Sequence, residues 1–203
     1  MAPPCLLERG VRMDHQPVSA PQEAMALTLA DYLYQATAKS KVSGKKTLLA
    51  LAPSKEDKDV MAGLLDALGT EEASPQLQDI AWVKGKKDTY YYHSGIMTRQ
   101  YAELSALLED KDILATISSV ARSDSQLYPR PTQFSKLRTI PFFFTQDEIL
   151  GAAARMKDEE QYQDIGVVTA SNGNSAFYSS QYLSERYARS LLEMIEVDEY
   201  LYP

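Results

Sequence analysis

The sequence predicts a mixed α+β protein. Three observations predict it. Several segments carry apolar residues at helical spacing, two stretches read as strand–turn–strand hairpins, and in the second half a capped helix runs into one of those hairpins.

Residues 1–22 hold Pro3, Pro4, Pro17 and Pro21 and no periodic pattern, which predicts a flexible tail. Met13 and Met25 are alternative starts. From Ala24, "AMALTLADYLYQATAKS" sets Met25, Leu29, Tyr32 and Leu33 on one helical face. A basic link, "KSKVSGKK", follows. "TLLALAP", Thr47 to Pro53, is a continuous apolar run, which predicts a strand buried on both faces. Ser54 can cap the next helix, with Met61, Leu64, Leu65 and Leu68 on its inner face and Gly69 at its end. "DIAWV" and "DTYYYH" around "KGKK" predict an antiparallel hairpin. Residues 23–96 therefore read as a small α/β domain, an N-terminal α/β layer.

Residues 97–203 read as a helical and winged-helix-like domain. "TRQYAELSALL" places Tyr101, Leu104 and Leu108 on one face, and "DILATISSVARS" does the same with Ile113, Ile117 and Val120. Pro129, Pro131 and Pro141 then interrupt any helix. Thr145 and Glu148 have capping-box spacing, and Phe144 and Ile149 have hydrophobic-staple spacing, so two devices fix the same helix start. Asn172-Gly173 predicts a two-residue type I′ turn, which sets Val168 opposite Phe177. Ser184 precedes a last helix with Tyr187, Leu191, Met194 and Ile195 along one side. No repeat of 20 to 50 residues is present, so the chain is no solenoid.

The 203 residues carry a formal charge of −7. Such a chain repels nucleic acid and acidic membrane on average. No apolar run approaches the ~20 residues of a membrane helix, and the N-terminus has no long apolar core of a signal peptide, so a cytoplasmic protein is expected. Cys5, the single cysteine, excludes an internal disulfide and an all-cysteine metal site. The 13 tyrosines suit half-buried packing or an interface.

Motifs for chemistry are few. "SGKKT" at 43–47 lacks the glycine and hydroxyl residue of a phosphate loop, because Lys39 and Lys46 stand there. "SNGN" lacks dinucleotide-loop spacing. His15 lies in the tail, and His93 has no second ligand at metal spacing. No catalytic residue, cofactor site or metal site is assigned, and no cofactor is expected. The segment Ala121 to Arg138 stands out with Arg122, Arg130, Lys136 and Arg138 against the single acid Asp124. With Tyr128 these residues form the candidate interaction patch for an anion or an acidic partner. The competing reading is a solvated linker whose cations pair with nearby acids.

"MTRQYAEL", "DILATISSVARSDSQLYPRPT", "PFFFTQDEIL", "DIGVVTASNGNSAFYS" and "LSERYARSLLEMIEVDEYLYP" resemble successive blocks of the YdhW-like family of small bacterial proteins, over residues 96–203. The resemblance implies an accessory role beside an oxidoreductase system, with a protein partner such as an oxidoreductase subunit. It supplies no catalytic residues.

The expected function is thus a non-catalytic accessory or protein-interaction component. Two alternatives stand beside it: a DNA-binding winged-helix regulator, and a small-ligand sensor or enzyme using the N-terminal layer. Charge weighs against DNA. Thr145 to Glu160 holds Arg155 and Lys157 against five acids, and the hairpin from Gly166 to Ser179 has no Lys or Arg. No nucleic-acid or membrane partner is expected, and the sequence leaves the oligomeric state open.

Overall fold

The computed structural model describes residues 20–70 and 73–198. Its elements are α1 (Ala20–Ala38), β1 (Ser43–Gly44), α2 (Lys45–Leu51), α3 (Lys55–Asp66), β2 (Ile80–Lys84), β3 (Thr89–His93), α4 (Arg99–Glu109), α5 (Ile113–Leu127), β4 (Thr132–Gln133), α6 (Phe134–Leu137), α7 (Gln146–Met156), β5 (Ile165–Thr169), β6 (Ser175–Ser179) and α8 (Glu185–Glu193). The fold is mixed α+β, with two three-stranded sheets ordered β1-β3-β2 and β4-β6-β5 and antiparallel throughout.

The chain is built twice. Each unit runs helix, short strand, two helices, hairpin and helix, and each sheet puts its middle strand last in sequence. Matching residues recur 85 or 86 positions apart: Asp79 and Asp164, Ile80 and Ile165, Val83 and Val168, Tyr92 and Tyr178, Ser94 and Ser180, Ala102 and Ala188. Their hydrogen bonds recur too. The Thr37 hydroxyl accepts the His93 amide at 3.0 Å, and the Ser125 hydroxyl accepts the Ser179 amide at 3.1 Å. The Ser94 amide donates to the Asp79 carbonyl at 2.8 Å, and the Ser180 amide to the Asp164 carbonyl at 2.7 Å. In each pair the first helix is tied to the end of the central strand, and the hairpin is closed at its base.

The first unit buries Leu29, Leu33, Leu48, Leu65 and Tyr91 between α1, α2, α3 and the sheet. On the sheet's other side Val83, Tyr90 and Tyr92 meet Ala102 and Ala106 of α4. The boundary expected between residues 96 and 97 thus falls inside this unit, because α4 packs on the first sheet. The second unit buries Ile117, Leu137, Ile149, Met156 and Phe177 in its larger core. Val168, Tyr178, Ala188 and Leu192 cover the opposite side. Leu104 and Leu108, also on α4, pack against the second unit's core, so one helix serves both units.

Four further expectations are corrected. The run from Thr47 to Pro53 is not a strand. Ser43–Gly44 supplies the strand, and Lys45–Leu51 is helical with Leu48 buried and Leu51 exposed. Short apolar runs do not distinguish strand from helix by period, and here only one side is buried. Residues 20–22, expected in the tail, begin α1; the rest of the expected tail, with Cys5 and His15, lies outside the described residues. The inner face of α8 is Ala188 and Leu192, one position along from the expected stripe, and Tyr187 and Met194 are exposed. The β5–β6 turn is not two residues long. The Ala170 amide donates to the Asn174 carbonyl and the Gly173 amide to the Ala170 carbonyl, with φ of +88° at Gly173 alone. That is a three-residue loop with glycine in the left-handed position, and it slips the register by one, pairing Val168 with Ala176 and Val167 with Phe177.

The helix starts hold as expected. The Thr145 hydroxyl accepts the Glu148 amide at 3.2 Å while the Glu148 carboxylate accepts the Thr145 amide at 2.8 Å. Phe144 packs beside the cluster that contains Ile149. Ser54 and Ser184 cap α3 and α8.

Candidate functional site

A groove of about 890 Å³ lies where the two units meet. One wall is α4, with Tyr101 and Leu104; the floor is α5, with Ser119, Arg122 and Ser123; the other wall is the Ile140–Phe142 loop with Tyr162 and Tyr182. The floor follows from α5 being amphipathic. Ile117, Val120 and Ala121 face the core, which leaves Ser119, Ser123 and Gln126 on the outer face.

Two of the sequence-derived patch residues line this groove, and both are paired. Arg122 donates Nε to Asp164 at 3.0 Å and Nη2 to the other carboxylate oxygen at 2.6 Å. Its Nη2 also reaches the Gln161 carbonyl at 2.8 Å. The hydrogen bond to Asp164 raises the guanidinium's pKa, and the same contact, with the Ser179 hydroxyl donating at 2.8 Å, holds the Asp164 carboxyl below its ordinary range. Lys136 donates to Asp124 at 2.6 Å, and Asp124, buried, also accepts the Thr132 hydroxyl at 2.7 Å. The groove's two cations are therefore neutralised inside the fold.

The other patch residues sit on the exposed stretch beyond α5 and α6. Arg130 lies over the Tyr128 ring at 5.3 Å from its centroid, a cation–π contact. Arg138 follows α6 and is exposed; its amide donates to the Ser135 carbonyl at 3.1 Å, and its side chain makes neither hydrogen bond nor ion pair among the described residues. The structure thus brings Arg122 and Lys136 to one groove, and Tyr128 and Arg130 to one stacked pair.

The apolar part of the site was not visible in the sequence. Ile140 is 77% exposed and Phe143 68% exposed, on the loop that walls the groove. Phe143 holds φ of +54°, a left-handed conformation that bulky residues seldom occupy. "TIPFFFT" reads as core by composition. The one local signal is Pro141, which breaks the helical period; of the three phenylalanines that follow it, Phe143 is the exposed one.

Among the described residues no group of three or more His, Cys, Asp or Glu side chains is placed to hold a metal ion, and no helix is long and apolar enough to cross a membrane. No solved structure matches the chain. It is similar to a protein of Escherichia coli (strain K12) named "Uncharacterized protein YdhW", with 28% identity over 195 residues, 96% of this chain and 88% of that protein. Residues 111–200 match the family model of the YdhW C-terminal domain, a span that opens just before α5 and takes in the second unit, so the YdhW-like resemblance is supported there.

Proposed function

We propose that the chain is a non-catalytic protein-interaction component that works beside an oxidoreductase system, and that the groove between its units receives the protein partner. The carrying observation is the groove's makeup: exposed Ile140 and the Tyr101 and Tyr182 rings around a floor of serines, with Arg122 and Lys136 already paired to carboxylates. Such a mixed, neutral, aromatic-rimmed surface suits a protein interface, where aromatic side chains supply contact area and charges are depleted at the centre. The link to oxidoreductases rests on the family resemblance alone. The second unit reads as winged-helix-like, with its helix and hairpin serving packing or a protein interface.

A photo-crosslinking amino acid at Ser119 tests this in native lysate. The expected product is a discrete adduct with a redox-enzyme subunit, lost on Ile140→Asp. An adduct pattern that ignores Ile140→Asp, or a partner from another class of protein, overturns the reading.

A further inference from the structure

We infer that the outward face of α7 is a self-association surface that joins two copies of this chain antiparallel about Gly151. Four positions of α7 share its solvent face: Asp147, Leu150, Gly151 and Ala154. Leu150 is 50% exposed. Ile149, Ala152 and Met156 occupy the opposite, buried face.

Gly151 has no reason inside the fold. It lies in mid-helix, where glycine is the poorest residue after proline. Its φ is not in the left-handed region, and a Cβ added there meets nothing within 4 Å. What glycine gives on an open helix face is room for a second backbone to approach closely.

The charges say which backbone. Asp147 stands four residues before Gly151 and Arg155 four after it. A twofold axis at Gly151 with the helices antiparallel puts each Asp147 opposite the other copy's Arg155, twice over, as an isologous interface requires. Leu150 of each copy then covers the other's Gly151–Ala154 step. The antiparallel arrangement also sets each helix's positive N-terminal end beside the other's negative C-terminal end. The Asp147 side chain makes no hydrogen bond or ion pair among the described residues, and Arg155 makes one loose ion pair, to Glu159 at 3.7 Å, beside the weaker pull of Asp112, so Asp147 is open and Arg155 is only loosely held. The corresponding helix of the first unit lacks this self-complementarity. α3 also has an open glycine, Gly63, but the same operation there sets Asp59 opposite Ala67, and Glu56 and Asp66 find no opposing cation. The second unit is therefore the one that pairs with itself.

This surface is independent of the groove, so either proposal can fail alone. Sedimentation equilibrium of the full chain tests it, over 1 µM to 1 mM at low salt. One short helix pair is a small interface of the weak, transient class, so a monomer–dimer equilibrium is expected within this concentration range. Gly151→Gln should weaken the dimer at least tenfold without lowering the melting temperature of the monomer, because its side chain enters open space. Asp147→Arg and Arg155→Asp should each weaken it severalfold, and the two together should restore it. A chain that stays monomeric to 1 mM overturns the inference. So does a dimer that Gly151→Gln leaves unchanged, or a charge-exchanged double variant no better than the single ones.

Discussion

Arg122 of α5 grips Asp164 at the entrance to β5 with two hydrogen bonds, at 3.0 and 2.6 Å. The matching place in the first unit holds a different contact. There Tyr34 of α1 meets His93 of β3 edge-on, with ring centroids 5.4 Å apart. In both units the first helix is fastened to the base of the hairpin. The second unit does it with an ion pair, which fixes direction as well as distance.

Arg122→Ala is expected to cost about 2–4 kcal/mol, because it strands a largely buried carboxylate with the Ser179 hydroxyl as its remaining side-chain donor. The loss should depend on pH. Asp164's folded pKa is depressed by Arg122, so its contribution is fully present above its ordinary unfolded value near 4 and is lost as pH falls through the lower folded value. Denaturant midpoints at pH 7 and pH 3 check this: the gap between wild type and Arg122→Ala should be wide at pH 7 and narrower at pH 3. An equal gap at both would show that the ion pair does not carry the effect.

Asp110 organises the first hairpin from outside it. Buried at the end of α4, it accepts the Lys86 amide at 2.5 Å, the Lys87 amide at 3.2 Å and the Tyr90 hydroxyl at 2.6 Å. Removing it leaves three donors without their acceptor, so Asp110→Ala is expected to cost about 3 kcal/mol or more. Hydrogen exchange should localise the damage, with the 85–90 amides losing protection while those of β5 and β6 keep theirs. The Tyr90 phenol gives a second readout. Burial raises its pKa above the ordinary tyrosine range and the bond to Asp110 raises it further. In Asp110→Ala its ionisation should therefore move down yet stay above that of an exposed tyrosine. An unmoved Tyr90 titration would contradict the assignment.

Two glycines should respond to alanine with opposite signs. At Gly166 an added Cβ lies 2.5 Å from the Tyr178 ring, which is buried and cannot swing away. Gly166→Ala is expected to destabilise by about 1–3 kcal/mol through overpacking. At Gly151 the Cβ enters open space in a helix, so Gly151→Ala should stabilise the monomer by up to about 1 kcal/mol. Thermal melts at a concentration where sedimentation shows monomer compare the two. Matching signs would mean that one of these environments is misassigned.

What was legible in the sequence was local. Thr145 with Glu148, Ser54 and Ser184 mark helix starts because a cap is a contact within three or four residues. The hairpins were legible for the same reason, although Gly173's place as third loop residue, and not second in a pair, shifted one register. The run from Thr47 to Pro53 failed because burial on one side or two is decided by α1 and α3, not by the run itself. The duplication was written in the chain, in "DIAWV" against "DIGVV" and "YYHS" against "FYSS". Its spacing of about 86 residues and its sparse matches hide it from any short-period reading. Within the candidate site, the cations of residues 122–138 were visible, but not that Asp164, some 40 residues on, neutralises Arg122. That pairing exists only once the hairpin has folded back onto α5.

The chain is expected not to bind duplex DNA, although each unit joins a helix to a hairpin. A reader of this kind needs cations on both. Across α7 and its end, Arg155 and Lys157 face Asp147, Glu148, Asp158, Glu159 and Glu160, and β5, β6 and their turn carry no cation at all. In the first unit α3 has Lys55 and Lys58 against Glu56, Asp57, Asp59 and Asp66, while its hairpin does carry lysines. Two of these are held by the protein itself: Lys86 pairs with Asp112 at 3.1 Å and the Lys87 ammonium binds the Asp110 carbonyl. To reach a phosphate they would have to leave these partners, with acidic helices alongside. Fluorescence anisotropy with a labelled duplex at ~50 mM salt, where counterion release favours binding most, should give no saturable binding below about 100 µM. Micromolar binding that weakens steeply with added salt would overturn this, and loss of that binding on Lys86→Ala and Lys87→Ala would place it on the first hairpin.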